Sequence, residues 1–244
     1  MNYELEIIAF DITSCSVAEA NGATRIELCS NPEEGGTTPS FGMIEQARKS
    51  CSISLFPIIR PRGGDFLYTN QEFESMKSDI KQCLSIGCDG VVIGMLLSDG
   101  TIDIERSKAL IEAAETMDVT FHRAFDRVKD PKDSLEKLIT IGCKRVLTSG
   151  LYKTAVEGMV NLKQLINQAN KRIIIMPGSG VRSDNVIDLA IQTGAKAFHS
   201  SARTLLQSKT YYNNPNMSES LVHTSLDGEE VKKLKQNLEN HFKN

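Results

Sequence analysis

The sequence contains no run of basic residues, no stretch approaching the roughly 20 apolar residues of a membrane span, and no low-complexity tract or linker. At a formal net charge of −3, the first absence argues against a grip on nucleic acid. The second argues against a membrane partner, and the third against division into several domains. With 40% hydrophobic residues the chain can bury one large core, so residues 1–244 are expected to form a single domain. The six cysteines include no CxxC pair and no even framework, and read as reduced thiols. The start, MNYELEII, lacks the charged residues and apolar run of a secretion signal and leads directly into a strand. A cytoplasmic location is expected. The eight methionines are scattered rather than clustered. No P-loop ending in Gly-Lys-Ser/Thr occurs, and the glycine loop at 178–180 has Ser183 where a dinucleotide fingerprint needs its last glycine. No nucleotide cofactor is expected.

What is present is a repeat. Gly22-Ala-Thr-Arg-Ile-Glu-Leu-Cys29, Gly87-Cys-Asp-Gly-Val-Val-Ile-Gly94, Gly142-Cys-Lys-Arg-Val-Leu-Thr-Ser149 and Gly194-Ala-Lys-Ala-Phe-His-Ser-Ser201 share one pattern. Each opens on a glycine able to close a helix in the left-handed conformation, and runs at once into an apolar strand. The copies lie about two strand–helix units apart, as the even strands of an eightfold array would. Short β-branched or aromatic segments in the gaps supply the odd strands: Leu5 to Asp11, Ser54 to Pro61, Asp118 to Arg123 and Ile173 to Gly180. Helical patterns lie between, at Ser16 to Asn21, Phe41 to Ser50, Gln71 to Ile86, Ile104 to Met117, Lys132 to Ile141, Ala155 to Gln168, Asp184 to Thr193 and Glu229 to Phe242. Start signals include Ser16 with Glu19, and Asp130 followed by Pro131. Strict alternation predicts an α/β fold, a single (β/α)8 TIM barrel with parallel strands.

Active sites of such barrels form where the strands end. Read at alternate positions, the inward set there is Glu6, Glu27, Cys29, Arg60, Arg62, His122, Thr148, His199 and Ser201. Charged and imidazole groups inside a barrel cost desolvation unless they pair, so the ring as a whole points to a ligand site. Glu27 and Arg60 read either as a buried ion pair or as a proton-transfer group and an anion clamp. Three loops add to the ring. Arg60-Pro-Arg62-Gly-Gly-Asp65 offers guanidinium forks beside exposed backbone N–H groups. Pro177-Gly178-Ser-Gly180 runs into a helix start, and Ser200-Ser201-Ala-Arg203 follows the last strand, in the positions that often bind phosphate. The fifth strand ends in His122-Arg123-Ala-Phe-Asp126, an imidazole with carboxylate and cation nearby, and the sixth in Thr148-Ser149. His122 reads as a general acid or base, or as a neutral core histidine bonded to Glu27 or Thr148. Residues 207–228 are long for a strand-to-helix loop and are expected to cover the barrel end or a second subunit.

The segments RIELCS (25–30), EGGTTPSFG (34–42), IRPRGGDFLYT (59–69), FHRAFD (121–126), RVLTSG (145–150) and IMPGSGV (175–181) resemble the motifs of the CutC family, named for copper homeostasis. The resemblance implies a cytoplasmic TIM barrel, a homo-oligomer, and copper as a partner. Copper in cells is mostly Cu(I), which prefers sulfur. Members of the family often carry a cysteine in the first strand, where this chain has Ile8, besides the one in RIELCS. The metal set expected here is therefore Cys29, with Cys15 as a substitute near the same rim. The alternative is an isomerase-type or lyase-type enzyme for a small anionic or phosphorylated metabolite. In it Glu27 and His122 exchange protons, and the arginines and the last two loops hold the anion.

Overall fold

A computed structural model describes residues 2–243. Eight parallel strands form the barrel: β1 (Glu4–Ala9), β2 (Arg25–Leu28), β3 (Ser54–Pro57), β4 (Gly90–Ile93), β5 (Asp118–Phe121), β6 (Arg145–Thr148), β7 (Ile174–Pro177) and β8 (Ala197–Ser200). They hydrogen-bond in the orders β3-β2-β1-β8 and β4-β5-β6-β7. The two sheets meet where Ile58 bridges Val92 and the Ile59 N–H donates to the Val92 carbonyl at 2.7 Å. On the other side β7 runs beside β8, so the ring closes.

Seven helices connect successive strands: α1 (Ile12–Ala20), α2 (Phe41–Ser50), α3 (Asn70–Ile86), α4 (Ile104–Ala113), α5 (Pro131–Thr140), α6 (Met159–Ala169) and α7 (Val186–Thr193). Their ends follow local chemistry. Asp130 accepts from the N–H groups of Lys132 and Asp133 with Pro131 in the first turn, and Gly87 and Gly194 close α3 and α7 at φ of 83° and 78°. The first helix begins four residues before the expected Ser16. Asp11, at the very end of the strand segment, is itself the cap, its carboxylate accepting from the Ser14 N–H at 2.6 Å.

Alternation along the strands divides the interior in two. Leu5, Ile7, Ile26, Leu28, Val91, Val119, Phe121, Val146 and Phe198 face the helices and form the main apolar core. Their neighbours face inward, and register partners such as Glu6 with Arg25, Glu6 with His199, Glu27 with Phe56 and Thr120 with Arg145 share that interior.

After β8 the chain departs from the expected loop. Arg203–Leu206 (β9) pairs antiparallel with His223–Leu226 (β10), and the last helix, α8 (Gly228–Phe242), follows. Between β9 and β10 the segment is largely exposed, Tyr211, Tyr212 and Met217 included, as is Leu205 on β9 itself. None of its residues lines the cavity at the barrel mouth.

Candidate functional site at the barrel mouth

The strand ends surround a cavity of about 500 Å³. Glu27 and His199 lie on one wall, and Arg60, Phe66, His122 and Arg123 on the other strands and loops around it. Glu6 is beneath them, 1% exposed. Its carboxylate accepts from the Arg25 Nε–H on one oxygen and meets His199 Nδ1 at 2.7 Å on the other. Glu27 reaches the same imidazole at 3.7 Å. Donor atoms of Glu6, Glu27 and His199 all lie within 4.8 Å of one another, an oxygen and nitrogen set suited to a borderline or hard divalent ion rather than a soft one.

The two carboxyls differ although they are neighbours. Burial would raise both. Against it, Arg25 and the His199 hydrogen bond bring Glu6 down to about 2. Glu27 has no comparable bond: burial, opposed by His199 and reinforced by the Glu6 charge, pushes it up to about 7. His199 is raised; burial opposes this, and the Glu6 bond with the Glu27 and Glu6 charges prevails. Arg25 is the counter-charge that makes this possible. It also donates to Thr120 Oγ1 at 2.6 Å and lies 3.1 Å over the centre of the Phe56 ring. Arg145 occupies a similar place, donating to Glu4 at 2.5 Å.

Arg60 does not pair with Glu27. Its guanidinium donates to the carbonyls of Glu34, Gly36 and Gly64 at 2.6, 2.7 and 3.1 Å, tying two loops together at the mouth, while Nε is buried with no partner. No carboxylate neutralises it among the described residues, nor Arg127 and Lys153 on the cavity rim. Arg62, expected beside it, faces away and is bound to Asp65 and Glu72. The i+2 alternation breaks at Pro61, where the strand has already ended. Arg123 and Asp126 pair at 2.7 Å, and Asp126 also accepts from Thr148 Oγ1 and the Ser149 and Leu151 N–H groups. The Asp126, Thr148 and Ser149 set therefore fastens the end of β6.

His122 bonds neither Glu27 nor Thr148. Its Nδ1 accepts the Ala124 N–H at 3.1 Å. Burial and the Arg60 charge push its pKa down to about 3.

After β7, the donors that follow the glycine loop are already engaged within the chain. The Ser183 N–H and Oγ–H both donate to Glu230 of α8, at 2.8 and 2.9 Å, so the chain's own carboxylate holds the donors beyond the glycine loop. Gly178 serves by its missing side chain, since a Cβ there would lie 2.4 Å from Leu147 Cδ1. Gly180 takes φ of 73°. Ser201 is half-buried outside the cavity lining, and Arg203 is exposed on β9. Among the described residues of the cavity lining, Arg60, Arg127 and Lys153 are cations without a carboxylate partner.

Cys29 and Cys15 are separated by the barrel wall. Cys29 points inward among Phe56, Ile58 and Val92, and burial with the charges of Glu27 and Glu6 raises its thiol well above the ordinary value. Cys15 lies in the layer between helices and strands, its Sγ 3.4 Å from the Asp11 carbonyl, and burial with Cys51 as a neighbour raises it to about 12. All six cysteines are buried and unpaired. Sequence reading missed Arg25, Arg145, Phe66, Arg127 and Lys153. Parity alone offered a signal for Arg25, two residues before Glu27 on the same strand face.

A sequence model of the CutC family matches residues 3–204. A CutC family protein of Parabacteroides distasonis is 50% identical over 226 residues, 91% of this chain and 93% of that one. A mouse protein named copper homeostasis protein cutC homolog is 46% identical over 222 residues, 90% and 82% of the two chains. The crystal structure of a CutC protein from Streptococcus agalactiae superposes with a TM-score of 0.78 at 34% identity, covering 82% of this chain and 98% of that one. With the motifs, the barrel and the relatives in agreement along most of its length, this chain belongs to the CutC family.

Proposed function

We propose that this protein works at the mouth of its barrel on a small anionic metabolite, moving a proton on it in an isomerase-type or lyase-type reaction. One observation carries the reading. Two neighbouring buried carboxyls are driven apart, Glu6 to about 2 and Glu27 to about 7, beside a cavity of about 500 Å³. Environments that separate two such groups assign one to a fixed charge and the other to proton exchange near neutrality. Glu6 then orients His199, and Glu27 takes and returns the proton. Arg60, uncompensated by any carboxylate among the described residues, attracts the anion with Arg127 and Lys153. Calorimetric titration with 2-phosphoglycolate tests this. Binding that weakens tenfold or more in Arg60→Ala supports the reading, and absence of binding to the unaltered protein overturns it.

The mouse relative's name favours a second reading, Cu(I) held on Cys29 in copper homeostasis. Cys29 does lie inside the barrel. The donor set fits Cu(I) poorly: one thiol, buried and raised well above its ordinary value, with Cys15 beyond the wall. Competitive Cu(I) titration of the reduced protein decides, since tight binding lost in Cys29→Ser would restore the copper reading. Six buried, unpaired thiols support a reducing, cytoplasmic setting. Exposed Leu205, Leu206, Tyr211 and Tyr212 support self-association through the β9–β10 segment. A variant lacking residues 207–222 with an unchanged sedimentation coefficient would count against that role.

A further inference from the structure

His122 is the buried polar group that the proton transfer above leaves unused. Because Nδ1 accepts the Ala124 N–H, that nitrogen keeps its lone pair and the ring proton sits on Nε2. The ring is neutral in this arrangement. Nε2 is buried and has no partner. The ring is 4% exposed, with Phe66 tilted against it at 4.9 Å. Gly94 gives it room: a Cβ there would lie 2.3 Å from His122 Cε1 and 2.4 Å from Nδ1. An N–H donor left unmatched in such a place is costly unless something accepts from it. The residue lines the same cavity as Glu27 and Arg60.

We propose that His122 donates its Nε2–H to a carbonyl oxygen of the substrate, a small carbonyl compound bearing a phosphate or carboxylate group, while Glu27 removes the proton from the adjacent carbon. This rests on the reading of the mouth as a proton-transfer site and names its substrate class. The C–H electron pair becomes the C=C bond of an enolate or enediolate, and the C=O π pair moves onto the oxygen that faces Nε2–H. The proton goes to the Glu27 carboxylate and returns to the same carbon, or to the neighbouring carbon of an enediolate as the hydroxyl proton passes to the former carbonyl oxygen, so no oxidant or reductant is required. A neutral imidazole is the suitable partner, because it strengthens its hydrogen bond as charge develops without surrendering its proton to the oxygen. Arg60 meets the anionic group.

The test is proton exchange in D₂O followed by ¹H NMR, with glycolaldehyde phosphate, dihydroxyacetone phosphate, pyruvate and 2-oxoglutarate as probes. The protein should erase the signal of the proton beside the carbonyl in at least one probe, faster than buffer, and the responding probe separates phosphate from carboxylate. Glu27→Gln should return the rate to that of buffer. His122→Phe should slow exchange about 10²–10³-fold, and His122→Gln, whose amide can donate, should retain more. Should the Phe variant not fold, the Gln variant and the ¹⁵N shift of the His122 Nε2–H on saturation with 2-phosphoglycolate decide in its place. Exchange indifferent to His122 substitution, or an Nε2 shift that does not move, overturns its role. Binding of 2-phosphoglycolate without exchange in any probe overturns this inference alone. Absence of that binding overturns the reading beneath it.

Discussion

Glu27→Gln should make the protein more stable above pH 7 while ending the proposed proton exchange. In the unfolded chain Glu27 ionises near 4.5, and in the folded chain near 7, because burial disfavours the charged form and Glu6 adds repulsion. The raised value means that the folded state holds a proton which the unfolded state has already lost. Stability associated with this group is therefore full below pH 4.5 and falls as pH rises to about 7, after which the loss is constant. At about 1.4 kcal/mol per pH unit of difference, the loss comes to roughly 3 kcal/mol. The side chain is almost wholly buried, so solvent screening does little to reduce the figure, which already includes the opposing pull of His199 at 3.7 Å. Gln has the shape of the protonated carboxyl and no charge to bury. Urea denaturation at pH 5 and pH 8 should show the two proteins nearly equal at the lower pH and the variant ahead at the higher. A difference that does not change between those pH values would refute the assignment of Glu27 as the raised group.

Arg25→Met should cost about 3–5 kcal/mol in urea denaturation, because it leaves the Glu6 carboxylate buried beside His199 with its main counter-charge removed. The same variant should raise the pKa of Glu6 toward its unfolded value, so the loss of stability that Glu6 contributes between about pH 4.5 and pH 2 should shrink and the deficit of the mutant should narrow as pH falls through that window. Gly94→Ala should push the His122 ring and lower stability by about 1–3 kcal/mol, which thermal unfolding and histidine NMR shifts would register together. Arg62→Ala should lower stability by less than about 1 kcal/mol and leave 2-phosphoglycolate affinity unchanged, since Arg62 is bound to Asp65 and Glu72 on the surface.

The site was legible in the sequence wherever strand parity held. Glu6, Glu27, Cys29, His122 and His199 all stand at inward positions because side chains alternate along a strand whatever surrounds it, whereas Thr148 shares the outward parity of Val146 and Leu147 takes the inward place on β6. Parity failed where the strand had ended: Arg62 follows Pro61 and turns outward. It also gave no ranking within a face, so Arg25, the counter-charge on which Glu6 depends, passed unnoticed beside Glu27. The glycine loop after β7 had the composition of a phosphate site, yet the Ser183 donors that follow it are taken by Glu230, a residue nearly 50 positions away on α8.

Local chemistry by itself determined the barrel of this protein. Helix-closing glycines, caps such as Asp130, and apolar strands each act within a few residues, and eight such units in alternation leave one economical parallel closure. Pairing across the barrel belonged to the tertiary structure. The identity of the nearest charge decides which of two buried glutamates keeps its proton, and whether a histidine is an acid or a neutral donor. His199 lies 2.7 Å from Glu6, 193 positions away in the chain, and 3.7 Å from Glu27, and Coulomb and desolvation energies depend on those distances rather than on spacing in sequence.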